Sequence, residues 1–438
     1  MAPQIDHLVV LMLENRSFDH ALGYLQSDTY RINGALNAKS CPASDGTLIP
    51  LSNDATFIMA DPPHEFPDVN LQLFGTTNPA PGSAATMQGF VKASDSGAMK
   101  CYSPSRLPIL ATLAQQYAIC DQWHASVPGP TSPNRVFAHA ASSNKSVDSD
   151  VDWVGIDTIY PAMDHAGKSY RIYMHDASLL MTNQYFLNHM APFQDFADFD
   201  AHCSGDPAAF PQYVFIEPRY SQDNYLYPND EHPAHDMRDG EALIQKVYTT
   251  LRNSNLWETT LLLIVYDEHG GFYDHQVPPL VAATPAEAGP KFAFDRLGVR
   301  VPAVLVSPYI GAGAIDSTLY EHSSIPATIR ALFMPGTPAL TPREQRARPF
   351  HGQLPWLPAA RTDQVNFPVS YSLGVDIRPP APAPSDLVVK MGRQLQSTLD
   401  RLGLQSSLSG NRLTTQTEAT AFFKAARALL ATQPAPAP

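Results

Sequence analysis

The chain has 438 residues, 44% of them hydrophobic and 16% charged, with a formal net charge of −13. That length can bury a large core. The charge leaves no basic groove for nucleic acid and disfavours simple adsorption to an anionic membrane, so no nucleic-acid partner is expected. Proline (41) outnumbers glycine (24), which predicts stiff, ordered loops. The cysteines Cys41, Cys101, Cys120 and Cys203 form no CxxC pair; they read as free thiols, with a Cys41–Cys101 bridge as the alternative. No apolar stretch reaches the roughly 20 residues of a transmembrane helix. The N-terminus shows no basic and apolar leader. The expectation is a cytoplasmic chain, one exported without a cleaved signal, or a mature form.

In chain order, residues 7–13 (HLVVLML) read as a buried strand that ends in Glu14, Asn15 and the turn to His20. A Pro-, Asn- and Ser-rich stretch follows to about residue 105 and reads as long functional loops. Residues 107–117 have helical spacing and residues 118–121 read as a short strand. Val127-Pro128-Gly129-Pro130 is a stiff turn opening a helix at Thr131. Strands are expected at 170–174, 213–217, 261–266 and 301–306, and helices at 237–252, behind an Asp236 cap, and at 323–333. This alternation predicts an α/β fold with a mostly parallel sheet and helices on both faces. We expect a catalytic unit over residues 1–376, a Pro/Ala linker at 377–384, and a tail over 385–438 with helices near 387–402 and 418–430.

The chemistry concentrates where strands end. Asp267-Glu268-His269-Gly270-Gly271 follows the apolar run 261–266, much as Glu14-Asn15 follows 7–13. Rigid strand ends carrying hard oxygen donors suit a divalent metal, and the paired glycines would let backbone approach whatever is bound there. Thr131, at a helix start with Pro133 in the first turn, is the best nucleophile candidate; the bland alternative is a plain N-cap. A threonine hydroxyl is a poor nucleophile at neutral pH unless a metal lowers its pKa. The loop 229–236 packs His232 and His235 among Asp230, Glu231 and Asp236. Asp61-Pro62-Pro63-His64 adds another histidine.

Four blocks together resemble the phosphoesterase family: ENRSFDH (14–20), GPTSPNR (129–135), DEHPAHD (230–236) and DEHGGFYDH (267–275). That family comprises bacterial phosphatidylcholine phospholipases C, plant non-specific phospholipases C and an acid phosphatase. The resemblance implies an alkaline-phosphatase-like fold. It makes Glu14, Asn15, Asp267 and Glu268 ligands of a divalent metal and Thr131 the nucleophile, itself touching the metal. His64, Asn134 and His232 would stand around the phosphoryl oxygens or leaving group, with His235 and His275 on the substrate side. The ion would be zinc, calcium, magnesium, manganese or iron. The implied reaction is hydrolysis of a glycerophospholipid to diacylglycerol and phosphorylated head group, with peripheral contact to lipid. Broad acid phosphomonoesterase activity is the alternative. The tail helices are the one accessory element expected for lipid engagement.

Overall fold

A computed structural model describes residues 3–223, 226–371, 373 and 383–433. Its frame is an eight-stranded sheet. In chain order the strands are β1 (His7–Leu13), β2 (Ala118–Cys120), β3 (Tyr170–Met174), β4 (Phe193–Asp195), β5 (Tyr213–Ile216), β6 (Thr260–Tyr266), β7 (Ala303–Val306) and β8 (Ala314–Asp316). The spatial order is β8-β2-β7-β6-β1-β5-β3-β4. Only β7 runs against its neighbours; every other pairing is parallel. The sheet is therefore mostly parallel, as predicted. Every residue of β1 and β6 is buried, because both faces are covered. That is why these runs are continuously apolar rather than alternating.

The helices of seven residues or more are α1 (Phe66–Phe74), α2 (Pro108–Gln116), α3 (Thr131–Ala140), α4 (Ile159–His165), α5 (Met237–Arg252), α6 (Ser324–Phe333), α7 (Asp386–Arg401) and α8 (Gln416–Ala431). Asp236 caps α5 as expected, accepting from the Arg238 N–H. The four cysteines are free and buried, which removes the Cys41–Cys101 bridge.

The reading of residues 21–105 as loops is corrected. This stretch contains α1, whose N-terminus carries a capping box between Glu65 and Asp68 and whose C-terminus closes on Gly75 at φ 76°. It also has its own small core, in which Val69, Leu73, Phe90 and Met99 pack with Tyr273 and Val299. The apolar spacing of α1 covers barely two turns, too short to stand out beside Pro62, Pro63 and Pro67.

The tail is sewn to the rest. Leu387, Val388, Met391, Leu395 and Leu399 of α7, with Phe422 and Phe423 of α8, join the main core. Lys390 Nζ lies 2.8 Å from Glu65 Oε1, Gln394 donates to the Val151 carbonyl at 2.8 Å, and Thr420 donates to the Gln222 carbonyl at 2.6 Å. Most of the expected linker, residues 377–382, lies outside the described residues. Among the described residues no helix is long and apolar enough to cross a membrane. Burial of Leu395 predicts that Leu395→Ala costs about 2–5 kcal/mol, read as a lowered urea midpoint. An unchanged midpoint would mean that α7 does not contribute to the folded core.

Candidate active site

Parallel pairing fixes the centre of the site. In the β1–β6 register His7 faces Thr260 and Leu13 faces Tyr266, so both strands release their polar ends at one level. The Asp267 N–H donates to the Leu13 carbonyl at 3.1 Å, the Arg16 N–H to the Glu268 carbonyl at 3.0 Å, and the Glu14 N–H to the Asp230 carbonyl at 2.9 Å. Three predicted blocks are thus tied together through backbone. Asn15 takes a left-handed φ of 58°, and its N–H donates to Asp267 Oδ1 at 3.1 Å.

The paired glycines make room for neighbouring parts of the chain. A Cβ on Gly270 would sit 2.1 Å from the Asn15 carbonyl oxygen, and one on Gly271 would lie 2.8 Å from Pro62 Cβ and from the Pro63 carbonyl oxygen. They admit the neighbouring backbone and the loop carrying His64.

Thr131 is the first residue of α3 and Pro130 is the cap, so its hydroxyl is not spent on capping. It donates to Asn15 Oδ1 at 3.2 Å. The Asn15 amide in turn reaches His64 Nε2 at 3.2 Å, and His64 Nε2 lies 3.8 Å from Glu268 Oε1. With Nδ1 of His64 against the Pro62 carbonyl at 2.7 Å, the ring is held by both nitrogens. His64 and His232 have ring centroids 6.3 Å apart. Asp61 completes this group, since its carboxylate, His64 and His232 bring ligand atoms within 4.8 Å of one another. His235 stands behind, its Nδ1 2.7 Å from Asp230 Oδ1.

Two predicted substrate residues are placed differently. Asn134 is fully buried; its Oδ1 accepts from the Val127 N–H and its amide donates to the carbonyls of Val127, Gly129 and Pro130. Its polar atoms are consumed in shaping the turn before Thr131, leaving none for a phosphate. His275 belongs to a separate cluster, with Nδ1 2.6 Å from Asp19 Oδ2 and Nε2 2.9 Å from Asn33 Oδ1. There Arg300 pairs with both Asp19 and Asp274, at 3.1 and 3.0 Å.

A residue with no role in the sequence reading sits at the middle. Arg135, buried on α3, contacts Glu14 at 3.3 Å, Glu217 at 2.9 Å and Asp267 at 3.1 Å. Its only signal in sequence was its place four residues after Thr131, one helical turn along the same face. Glu217 was visible merely as a strand end.

Charge in the site is only partly compensated. Burial, with Asp267, Asp230 and Glu217 nearby, holds the Glu14 carboxyl well above its usual range against the pull of Arg135. Burial also pushes Asp267 up to about 6 despite Arg135. For His64, burial works against protonation, but Glu268 and Asp61 outweigh it and raise the ring to about 9. Both carboxylate oxygens of Glu14, with Glu268 Oε1 and Asp230 Oδ2, are buried and accept no hydrogen bond. Orphaned buried carboxylate oxygens are costly unless a cation meets them. By type, carboxylate oxygens are the donors a divalent ion takes. Among the described residues, the acid and histidine groups whose ligand atoms already lie within 4.8 Å of one another are Asp61, His64 and His232, and Asp19, Asp274 and His275.

The sequence profile of the phosphoesterase family matches residues 5–334. The chain is 37% identical over 389 residues to non-specific phospholipase C6 of Arabidopsis thaliana, covering 82% of this chain and 74% of the relative. It is 29% identical over 400 residues to phospholipase C A of Mycobacterium tuberculosis, covering 77% and 74%. Among solved structures it is similar to a protein of the alkaline phosphatase superfamily from Vibrio parahaemolyticus, at 11% identity and a TM-score of 0.35 over 80% of this chain and 70% of that one. The fold class rests on the observed sheet rather than on that distant likeness. With its four blocks joined at one end of a mostly parallel sheet, the chain belongs to the phosphoesterase family, hydrolases acting on phosphate esters.

Proposed function

We propose that this protein is a phospholipase C that hydrolyses glycerophospholipids such as phosphatidylcholine to diacylglycerol and phosphorylated head group, through a phospho-threonine at Thr131. One observation carries the reading: an uncapped Thr131 hydroxyl is held against Asn15, in a site whose buried carboxylates include oxygens that accept no hydrogen bond. The names of the plant and mycobacterial relatives support the substrate class.

In this reading Glu14, Asn15, Thr131, Asp267 and Glu268 hold a divalent cation, which when bound neutralises phosphoryl oxygens and lowers the pKa of a coordinated hydroxyl. All-oxygen donors suit calcium, magnesium or manganese, and zinc and iron also accept such ligands. Asn15 orients the Thr131 oxygen, and the start of α3 offers backbone N–H groups to the phosphate. Thr131 gives up its hydroxyl proton to solvent and attacks phosphorus, and the bond to the diacylglycerol oxygen breaks. The phosphorylated head group stays on Thr131 until water attacks phosphorus and the Thr131 oxygen leaves and is reprotonated. His64 and His232, side by side next to Asp61, protonate the departing oxygen and then draw a proton from the incoming water. Asn134 contributes by fixing the turn that carries Thr131, and His235 by bracing the loop of His232 through Asp230.

Thr131→Ala is expected to lower kcat by about 1,000-fold or more, because nucleophile and ligand vanish together. Its unfolding free energy should change by no more than about 1 kcal/mol, since the hydroxyl does not cap α3. Thr131→Ser should keep measurable turnover. A near-wild-type rate for the alanine variant would remove Thr131 from the mechanism.

Dialysis against a chelator should abolish turnover, with recovery on adding back a divalent ion. Full activity in protein shown by elemental analysis to be metal-free would contradict the ligand assignment. With phosphatidylcholine in mixed micelles, diacylglycerol and phosphocholine should appear in equal amounts. Turnover of p-nitrophenyl phosphate without any phosphatidylcholine cleavage would point to a phosphomonoesterase instead.

A further inference from the structure

The buried guanidinium of Arg135 meets three carboxylates that are not equivalent. Glu217 is the most fully held: Oε1 accepts from Ser178 Oγ at 2.6 Å, and Oε2 accepts from the Tyr220 hydroxyl at 2.5 Å and from Arg135 at 2.9 Å. Glu14 is the opposite, with neither oxygen accepting a hydrogen bond although Arg135 lies 3.3 Å away. Asp267 is intermediate: Oδ1 accepts from the N–H groups of Asn15 and Glu268, while Oδ2 meets Arg135 Nε at 3.1 Å. The same guanidinium also donates to the Met12 and Leu13 carbonyls at 3.2 and 3.4 Å, and it lies 5.4 Å from the Tyr220 ring centroid. It is thus fixed on the side of Glu217 and the β1 backbone, and presents what remains to Glu14 and Asp267.

We propose that Arg135, anchored by Glu217, is a positioning residue that sets the spacing of Glu14 and Asp267 and thereby the affinity of the site for its divalent cation. The inference rests on the metal-site reading above. Glu217 is itself held by three donors, so it serves as the anchor. The planar fork reaches two strand ends and β5 at once from one helix, in a geometry that a lysine ammonium cannot reproduce. Because Thr131 lies one turn earlier on α3, the same helix delivers the nucleophile and the spacer of its carboxylates. A guanidinium that merely occupied the place of a cation would act in the opposite direction, and its removal would tighten binding.

The test titrates each full-length protein with Mn²⁺ and counts the free ion by electron paramagnetic resonance, with near-UV circular dichroism as the check on folding. Groups that orient metal ligands typically change affinity about 10- to 100-fold when altered. Arg135→Lys should therefore weaken Mn²⁺ binding about 10-fold or more. Glu217→Gln, close in shape and touching Arg135 rather than the proposed ligands, should weaken it in the same direction, and it decides the matter if Arg135→Lys does not fold. Glu14→Gln should lose measurable binding. If Glu14→Gln loses the ion while both positioning variants bind within two-fold of wild type, or more tightly, Arg135 does not position the ligands although the site stands. If Glu14→Gln binds as wild type does, the site reading falls and this inference with it.

Discussion

One buried guanidinium against three buried carboxylates holds the active end of this protein together. Arg135 reaches Glu14, Glu217 and Asp267 from inside α3, so the ends of β1, β5 and β6 are fixed relative to the helix that starts at Thr131. Ion pairs this deep are costly to desolvate and are poor devices for stability alone. Here the acids outnumber the cations, because one guanidinium faces Glu14, Glu217 and Asp267 with Asp230 close by, while Glu268 is met by His64. The surplus suits a divalent ion, which would in turn meet the anionic phosphate ester.

The rest of the frame serves that arrangement. Two fully apolar parallel strands in register give the carboxylates a rigid base, and the left-handed Asn15 turns its amide toward Thr131 and His64. Gly270 is required because the Asn15 carbonyl fills the space where a side chain would be. Arg16 donates to the Glu231 carbonyl at 2.9 and 2.7 Å, drawing the loop of His232 to the same strand end. The histidines are thereby brought to the nucleophile by segments far apart in sequence.

Much of this was legible in the residues. Long apolar runs with polar ends located β1 and β6, and the proline-rich turn located the start of α3. The short strands Phe193–Asp195 and Ala314–Asp316 were missed, because three residues hold no pattern to recognise and their pairing comes from the sheet. The small core around α1 was hidden by prolines that signal loops. Asn134 and His275 show a different limit: their blocks were identified, but which polar atoms are already spent on neighbours depends on tertiary contacts. Arg135 escaped notice for a similar reason, since a charged residue on a short helix reads as solvated until its partners are seen.

The account depends on a covalent step at Thr131, and that step can be seen directly. Wild-type protein turning over phosphatidylcholine is quenched in acid within the steady state, digested, and mapped by mass spectrometry. The account predicts a peptide spanning residue 131 that carries phosphocholine, or phosphate derived from it, on Thr131, and no such adduct with Thr131→Ala. An adduct on another residue, or turnover with no adduct under conditions that trap acid-stable phospho-threonine, would contradict it.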